Sequence, residues 1–354
     1  MLTLGATWAQ STDPKNLFRV NLPNGAPIAL VSADWGQSNA VARGGALQVE
    51  LRSTLILKNT SSGVIRGISL LVLAQEVTPG GKGSVTVPSL DVQPGETVPI
   101  RVDLRLMRPL ATQAGALVEV ALDGVLFADL TFYGPNRLNT RRAMLAWELE
   151  ARRDRKALLA ALEQGGEAGL RGRLLAALAR QESQPQMALQ MGRTLPATNV
   201  ETERTVSLAF LHLPAAPVEL LGGDARVVGV EARAPRIEIQ NRSKKSIRYI
   251  ELGCLIEDAQ GRETAAGVLP AELALAPGAR GSVRKENTLR FARPANAITV
   301  YPAVVEFADG ELWVPPAEAL RDPRLPASGE TARLAGLYRR KGLAAVVQAL
   351  HAMR

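Results

Sequence analysis

Three landmarks in this chain occur twice at nearly the same distance. Phe127-Ala128-Asp129 returns as Phe307-Ala308-Asp309, Lys58-Asn59-Thr60 is answered by Gln240-Asn241-Arg242, and Pro94-Gly95 by Pro277-Gly278, at offsets of 180, 182 and 183 residues. A near-constant offset across separate landmarks means one module copied, and whatever fold is assigned must serve both copies. At 354 residues the chain has room for two or three domains, each able to bury its own core. Aromatic residues make up only 4%, so those cores have to be aliphatic.

The first copy reads as strands punctuated by turns. Over residues 47–57, Leu47, Val49, Leu51, Leu55 and Leu57 share one face, while Gln48, Glu50, Arg52 and Thr54 share the other. That period of two marks a half-buried antiparallel strand. Asn59-Thr60-Ser61-Ser62-Gly63 is a turn cluster, because Asn and Ser bond local backbone and Gly accepts positive φ. Strands follow at 65–76, 98–106, 117–122 and 125–133, and two more precede at 18–22 and 28–35. Seven or eight short strands with regular turns predict a sandwich. The second copy has the same order: strands at 226–232, 236–240 and 247–257, a hairpin signal in Asp258-Ala259-Gln260-Gly261, then strands at 273–276, 282–291, 298–307 and 311–314.

An Asn-x-Ser turn, a long strand ending in Asp-x-x-Gly, and an apolar strand entering a Pro-Gly turn together resemble bacterial immunoglobulin-like modules of the FxLYD or CARDB kind. The resemblance covers residues 45–133 and 226–314, and the first copy has a glycine-rich loop where the Asp-x-x-Gly hairpin would stand. It implies extracytoplasmic, non-catalytic scaffolds and carries over no active residue.

Helix-forming composition follows each copy. Residues 139–163 and 167–181 are rich in Ala, Leu, Arg and Glu, with Gly165-Gly166 as a break, and a further short segment lies at 187–191. A last helix is expected over 330–353. The predicted fold class is therefore mostly β with a helical insert (α+β): two tandem immunoglobulin-like antiparallel sandwiches at 16–136 and 200–316, a helical hairpin at 139–192 and a C-terminal helix at 328–354. Residues 1–12 resemble the end of a secretory signal, with a short apolar run and Ala9 at a cleavage-type position, but without a basic n-region.

The net charge of +8 is unevenly placed: zero over 1–135, +5 over 136–195, −1 over 196–316 and +4 over 317–354. The helices carry the excess, so they are where an anionic partner would bind. Arg141, Arg142, Arg152, Arg153, Arg155 and Lys156 form the candidate basic face. The competing reading is a solvated helix with pairs such as Glu148–Arg152 at i,i+4 spacing. Nucleic acid is not the expected partner, since no stacking aromatics accompany the arginines.

Chemistry is poorly provided for. A single cysteine excludes disulfides within the chain and multi-cysteine metal sites, and alternation places Cys254 inside with Ile250, Leu252 and Ile256. His212 and His351 are the two histidines, and neither has a ligand or triad partner at useful spacing. Pro79-Gly80-Gly81-Lys82-Gly83-Ser84 lacks the spacing of a phosphate loop and precedes β-prone residues, so it reads as a hairpin tip. Asp129 and Asp309 recur at equivalent corners, which favours turn capping over ligand binding. Asn59 and Asn241 match a glycosylation triplet, yet their recurrence at one turn points to geometry. No cofactor and no metal are expected. The sequence leads to a periplasmic or secreted, non-enzymatic envelope scaffold whose partner is another protein. A cytoplasmic adaptor binding anionic surfaces through its arginine-rich helices is the alternative. A carboxylate-only glycosidase ranks third, because nothing singles out a pair of acids.

Overall fold

The computed structural model describes residues 18–76, 79–110, 116–183, 190–192, 203–284, 288–291 and 293–353. The expected leader over residues 1–12 lies outside them. The chain divides into two compact units, Met1–Glu148 and Leu149–Arg354. It is mostly β with a minority of helix, the α+β class expected.

Among the described residues the first unit holds nine strands: β1 (Phe18–Asn21), β2 (Ile28–Asp34), β3 (Asn39–Arg43), β4 (Ala46–Asn59), β5 (Ile65–Leu73), β6 (Lys82–Val87), β7 (Thr97–Pro109), β8 (Val118–Phe127) and β9 (Phe132–Tyr133). One sheet runs β1-β8-β5-β6, with β9 also on β8, and the other pairs β4 with β2, β3 and β7. The alternating leucines of β4 explain why: Val49, Leu51, Leu55 and Leu57 are fully buried and meet Ile68, Leu70, Val72, Val118 and Val120 from the facing sheet. Two sheets closing on one aliphatic core make a sandwich.

Helix α1 (Thr140–Ser183) begins within this unit. Asp123 of β8 anchors the turn that leads into it, accepting from Arg137 N at 2.7 Å and, through Oδ2, from the Thr140 hydroxyl at 3.3 Å. Gly67 leaves room for Met144: an added Cβ would stand 2.8 Å from its terminal methyl carbon. Arg66 bonds Asp91 at 2.6 Å and lies 3.9 Å from the buried Glu148 carboxylate.

The second unit repeats the plan. It contains β10 (Gln190–Gly192), β11 (Arg204–Ser207), β12 (Ala209–Phe210), β13 (Val218–Val228), β14 (Glu231–Asn241), β15 (Ile247–Glu257), β16 (Glu263–Leu275), β17 (Arg280–Arg284), β18 (Thr288–Arg290), β19 (Ala297–Phe307) and β20 (Leu312–Trp313). The order β12-β19-β15-β16 matches β1-β8-β5-β6. Both β1–β8 and β12–β19 are parallel pairs in otherwise antiparallel sheets. β14 sits between β13 and β17, as β4 sits between β2 and β7. The bulges recur too, at Val31 in β2 and at Leu221 in β13.

Two expectations are corrected here. Residues 190–192 are not the tail of a helical segment but a strand paired with β18, and the described helix runs to Ser183. An edge strand needs only three residues to pair, and residues 184–189 lie outside the described residues. The expected strand at 273–276 is the end of β16, which starts at Glu263 and pairs along nearly all of β15.

The break at Gly166 (φ 57°, ψ −157°) divides α1, and the chain doubles back there. Gly169 then lies so close to the Ala161 carbonyl that a Cβ would approach it to 2.7 Å. Leu158, Leu170, Leu174 and Ala177 pack with Leu334, Ala335, Val346 and Leu350. The last four belong to α2 (Gly329–Lys341) and α3 (Leu343–Ala352), which Gly342 separates where one helix was expected. The C-terminal helices therefore complete a helical layer with the hairpin. No helix among the described residues is long and apolar enough to cross a membrane.

Candidate functional site

The duplicated landmarks are corners, and their hydrogen bonds coincide atom for atom. Asn59 Nδ2 donates to Gly63 O (2.8 Å) and Val92 O (2.9 Å), while its Oδ1 accepts from Ser61 N (3.0 Å) and Ser61 Oγ (2.7 Å). Asn241 Nδ2 donates to Lys245 O (2.8 Å) and Leu275 O (3.0 Å), while its Oδ1 accepts from Ser243 N (2.9 Å) and Ser243 Oγ (2.7 Å). The backbone carbonyls of the two asparagines accept from Gly95 N and Gly278 N, both at positive φ, which fixes the Pro-Gly turns. Both asparagine side chains are buried and fully used, so neither is a surface glycosylation site. Asp129 and Asp309 each accept from the backbone N–H two residues on, at 2.9 and 3.0 Å. These residues serve the fold.

The six candidate basic residues do not share one environment. Arg141 and Lys156 are exposed, and Arg142 and Arg152 are half-buried. Arg153 and Arg155 are not part of a solvent-facing surface, a correction to the basic-face reading. Arg153 donates to Asp154 Oδ1 from Nε (2.9 Å) and Nη2 (2.8 Å), and to Pro315 O from Nη1 (2.6 Å). Arg155, with 5% of its side chain exposed, bonds Glu330 at 3.4 Å, and Arg333 holds the same carboxylate through two 2.8 Å bonds. The reason is topological: helix spacing sets which residues share a face, and α2 covers this one.

Asp154 is fully enclosed and completes the start of α2. Its Oδ2 accepts from Ser328 Oγ, from Thr331 Oγ1 at 2.7 Å and from Thr331 N at 3.3 Å. Ser328 is the N-cap, so a carboxylate and a hydroxyl together satisfy the free amides of that helix end. Burial alone would raise the Glu330 carboxyl, but Arg333 and Arg155 outweigh it and hold it below its usual value. Glu150, one turn before Asp154, goes the other way. Burial pushes it up to about 7; Arg153 opposes this, and Asp154 and Glu251 add to it.

Beside Asp154 lies a cleft of about 110 Å³, bounded by both halves of α1, the turn before α2 and the first turn of α2. Its walls are small and apolar, including Ala157, Ala177, Leu320 and Pro326. Arg173 and Arg180 reach it from one face of α1, at i and i+7. Arg180 donates to Leu320 O at 3.3 Å. Arg173 is exposed and has no hydrogen bond or ion pair among the described residues. Sequence reasoning missed this cleft. The signal was the two arginines seven apart, but their common wall comes from residues 317–331.

His212 and His351 are both exposed, and Cys254 is buried with its thiol pushed up to about 12 by that burial. Among the described residues, no group of three or more His, Cys, Asp and Glu could hold a metal ion.

No protein-family model and no curated protein sequence matches this chain. Among solved structures it is similar to a β-glucosidase from Kluyveromyces marxianus, at TM-score 0.16 and 9% identity, over 75% of this chain and 44% of that one. It is also similar to a bacterial adhesin from Mobiluncus mulieris with intramolecular disulfide, isopeptide and ester cross-links, at TM-score 0.15 and 8% identity, over 78% and 96%. The chain spans less than half the length of the β-glucosidase, and likenesses this low carry no argument about fold or activity.

Proposed function

We propose that this chain is a non-enzymatic interaction or spacer protein of the bacterial cell envelope, built from two copies of an immunoglobulin-like module. One observation carries the reading: the polar residues that recur in both copies are consumed by their corners. Asn59 and Asn241, Ser61 and Ser243, Asp129 and Asp309 all bond local backbone in matching ways. A copied module whose repeated polar groups all hold turns has been kept for its shape. The partner is another protein, and it docks on exposed sandwich edges. β3 is exposed along its whole length, with Val41 half in solvent, and an edge strand offers unpaired backbone groups to an incoming strand.

The test is a photo-crosslinking residue at Val41 in the protein expressed from its full gene, followed by cell fractionation. Envelope localisation with a discrete crosslinked protein supports the reading. Residence in the cytosol rejects the envelope role, and crosslinks no more frequent than from an equivalent probe at Lys156 reject the β3 edge.

A second reading, an adaptor for anionic surfaces, draws on the exposed Arg141 and Lys156 and on Arg171, Arg339, Arg340 and Lys341, also exposed. It requires salt-sensitive binding to vesicles containing anionic lipid, and loss of that binding when Lys156 and Arg171 are reversed in charge.

A further inference from the structure

We infer that the cleft between α1 and the start of α2 binds an aliphatic carboxylate, whose head pairs with Arg173 while its short tail lies on Ala157, Ala177, Leu320 and Pro326. The charge around the cleft selects the ligand's sign. Asp154 lines it but offers nothing to a cation, because both its oxygens are taken by Arg153, Ser328 and Thr331. Asp322, another nearby acid, is bonded by Arg324 at 2.7 Å. Among the described residues, what remains unanswered is the guanidinium of Arg173, at the edge of a concave apolar wall. A guanidinium beside such a wall recognises a planar carboxylate by paired N–H donors and leaves the attached alkyl chain on the apolar surface.

Size limits the ligand further. At about 110 Å³ the cleft is small beside the pockets of about 300 Å³ or more that enclose drug-sized ligands, which suits a carboxylate carrying a short alkyl chain. The same chemistry comes from two sources, a free short-chain acid or the C-terminal carboxylate of a peptide ending in a small apolar residue.

The experiment is saturation-transfer NMR on the full chain with butyrate, butyramide, and a short peptide ending in Ala-Val as free acid and as amide. Butyrate is expected to bind with a dissociation constant on the order of 1 mM, and butyramide about tenfold more weakly. Arg173→Gln lowers butyrate affinity by about tenfold at unchanged melting temperature, since the side chain is exposed, while Lys156→Gln leaves it unaltered. Tighter binding of the free-acid peptide than of butyrate supports the site with a chain end as its source; the reverse supports it with a free acid. Equal signals from butyrate and butyramide, or equal losses from Arg173→Gln and Lys156→Gln, overturn the inference.

Discussion

Replacing Asn241 with alanine removes the group on which a whole corner of the second sandwich converges. Its Nδ2 faces three carbonyl oxygens, of Lys245 at 2.8 Å, Leu275 at 3.0 Å and Ala276 at 3.1 Å, and its Oδ1 receives two donors from Ser243. The residue is fully buried, so water does not take the place of the lost donor. Ser243 Oγ still donates to Lys245 O and Ala279 N to Ala276 O, so the loss is that of the asparagine's own five bonds, which at about 0.5–1.5 kcal/mol each sets it at about 3–5 kcal/mol. Against a typical domain stability of about 5–15 kcal/mol that is a large fraction. Asn59→Ala removes four such bonds, with Gly63, Val92 and Ser61, and should cost about 2–4 kcal/mol, Ser61 Oγ and Ile65 N still donating to the two carbonyls. The assay is urea unfolding in single-tryptophan backgrounds, with Trp35 reporting the first unit and Trp313 the second. Asn241→Asp distinguishes this mechanism from a simple loss of packing. It keeps the shape but turns a second acceptor toward the carbonyls, so it should be at least as harmful as alanine. Losses below about 0.5 kcal/mol for both alanine variants, or an aspartate tolerated like asparagine, would refute the reasoning.

The remaining expectations concern the helical layer and the core thiol. Glu150 has its pKa raised from 4.5 to about 7, so the folded state holds a proton there that the unfolded chain has released. Its contribution to stability is therefore complete below about pH 4.5 and declines as pH rises to about 7, by on the order of 3 kcal/mol at most; Glu150→Gln should flatten that slope in melts from pH 5 to 8. Arg155→Glu puts a second carboxylate against buried Glu330 and should cost more than about 3 kcal/mol, read by helical circular dichroism on heating, whereas exposed Lys156→Glu stays within about 0.5 kcal/mol. Cys254, buried and pushed up to about 12, should react with a thiol reagent only after denaturant is added; labelling of the native protein within minutes would contradict its place in the core.

What the sequence by itself determined is local in origin. The period of two over residues 47–57 located the core face of β4, because successive side chains of a strand must point to opposite sides. The paired Pro-Gly and Asn-x-Ser segments identified the copied corners, since few residues accept those backbone conformations. Gly165-Gly166 marked the turn of α1, and alternation placed Cys254 inside. Only the tertiary structure decided what each face meets. Arg153 and Arg155 read as solvated charge because α1 has the same spacing whether water or α2 covers it, and the carboxylate that binds Arg155 lies 175 residues away. For the same reason Asp154 could not be read as the residue completing α2, nor Arg173 as the edge of a cleft. Secondary structure follows from neighbours in the chain, whereas burial, pairing and concavity depend on segments that meet only when the chain has folded.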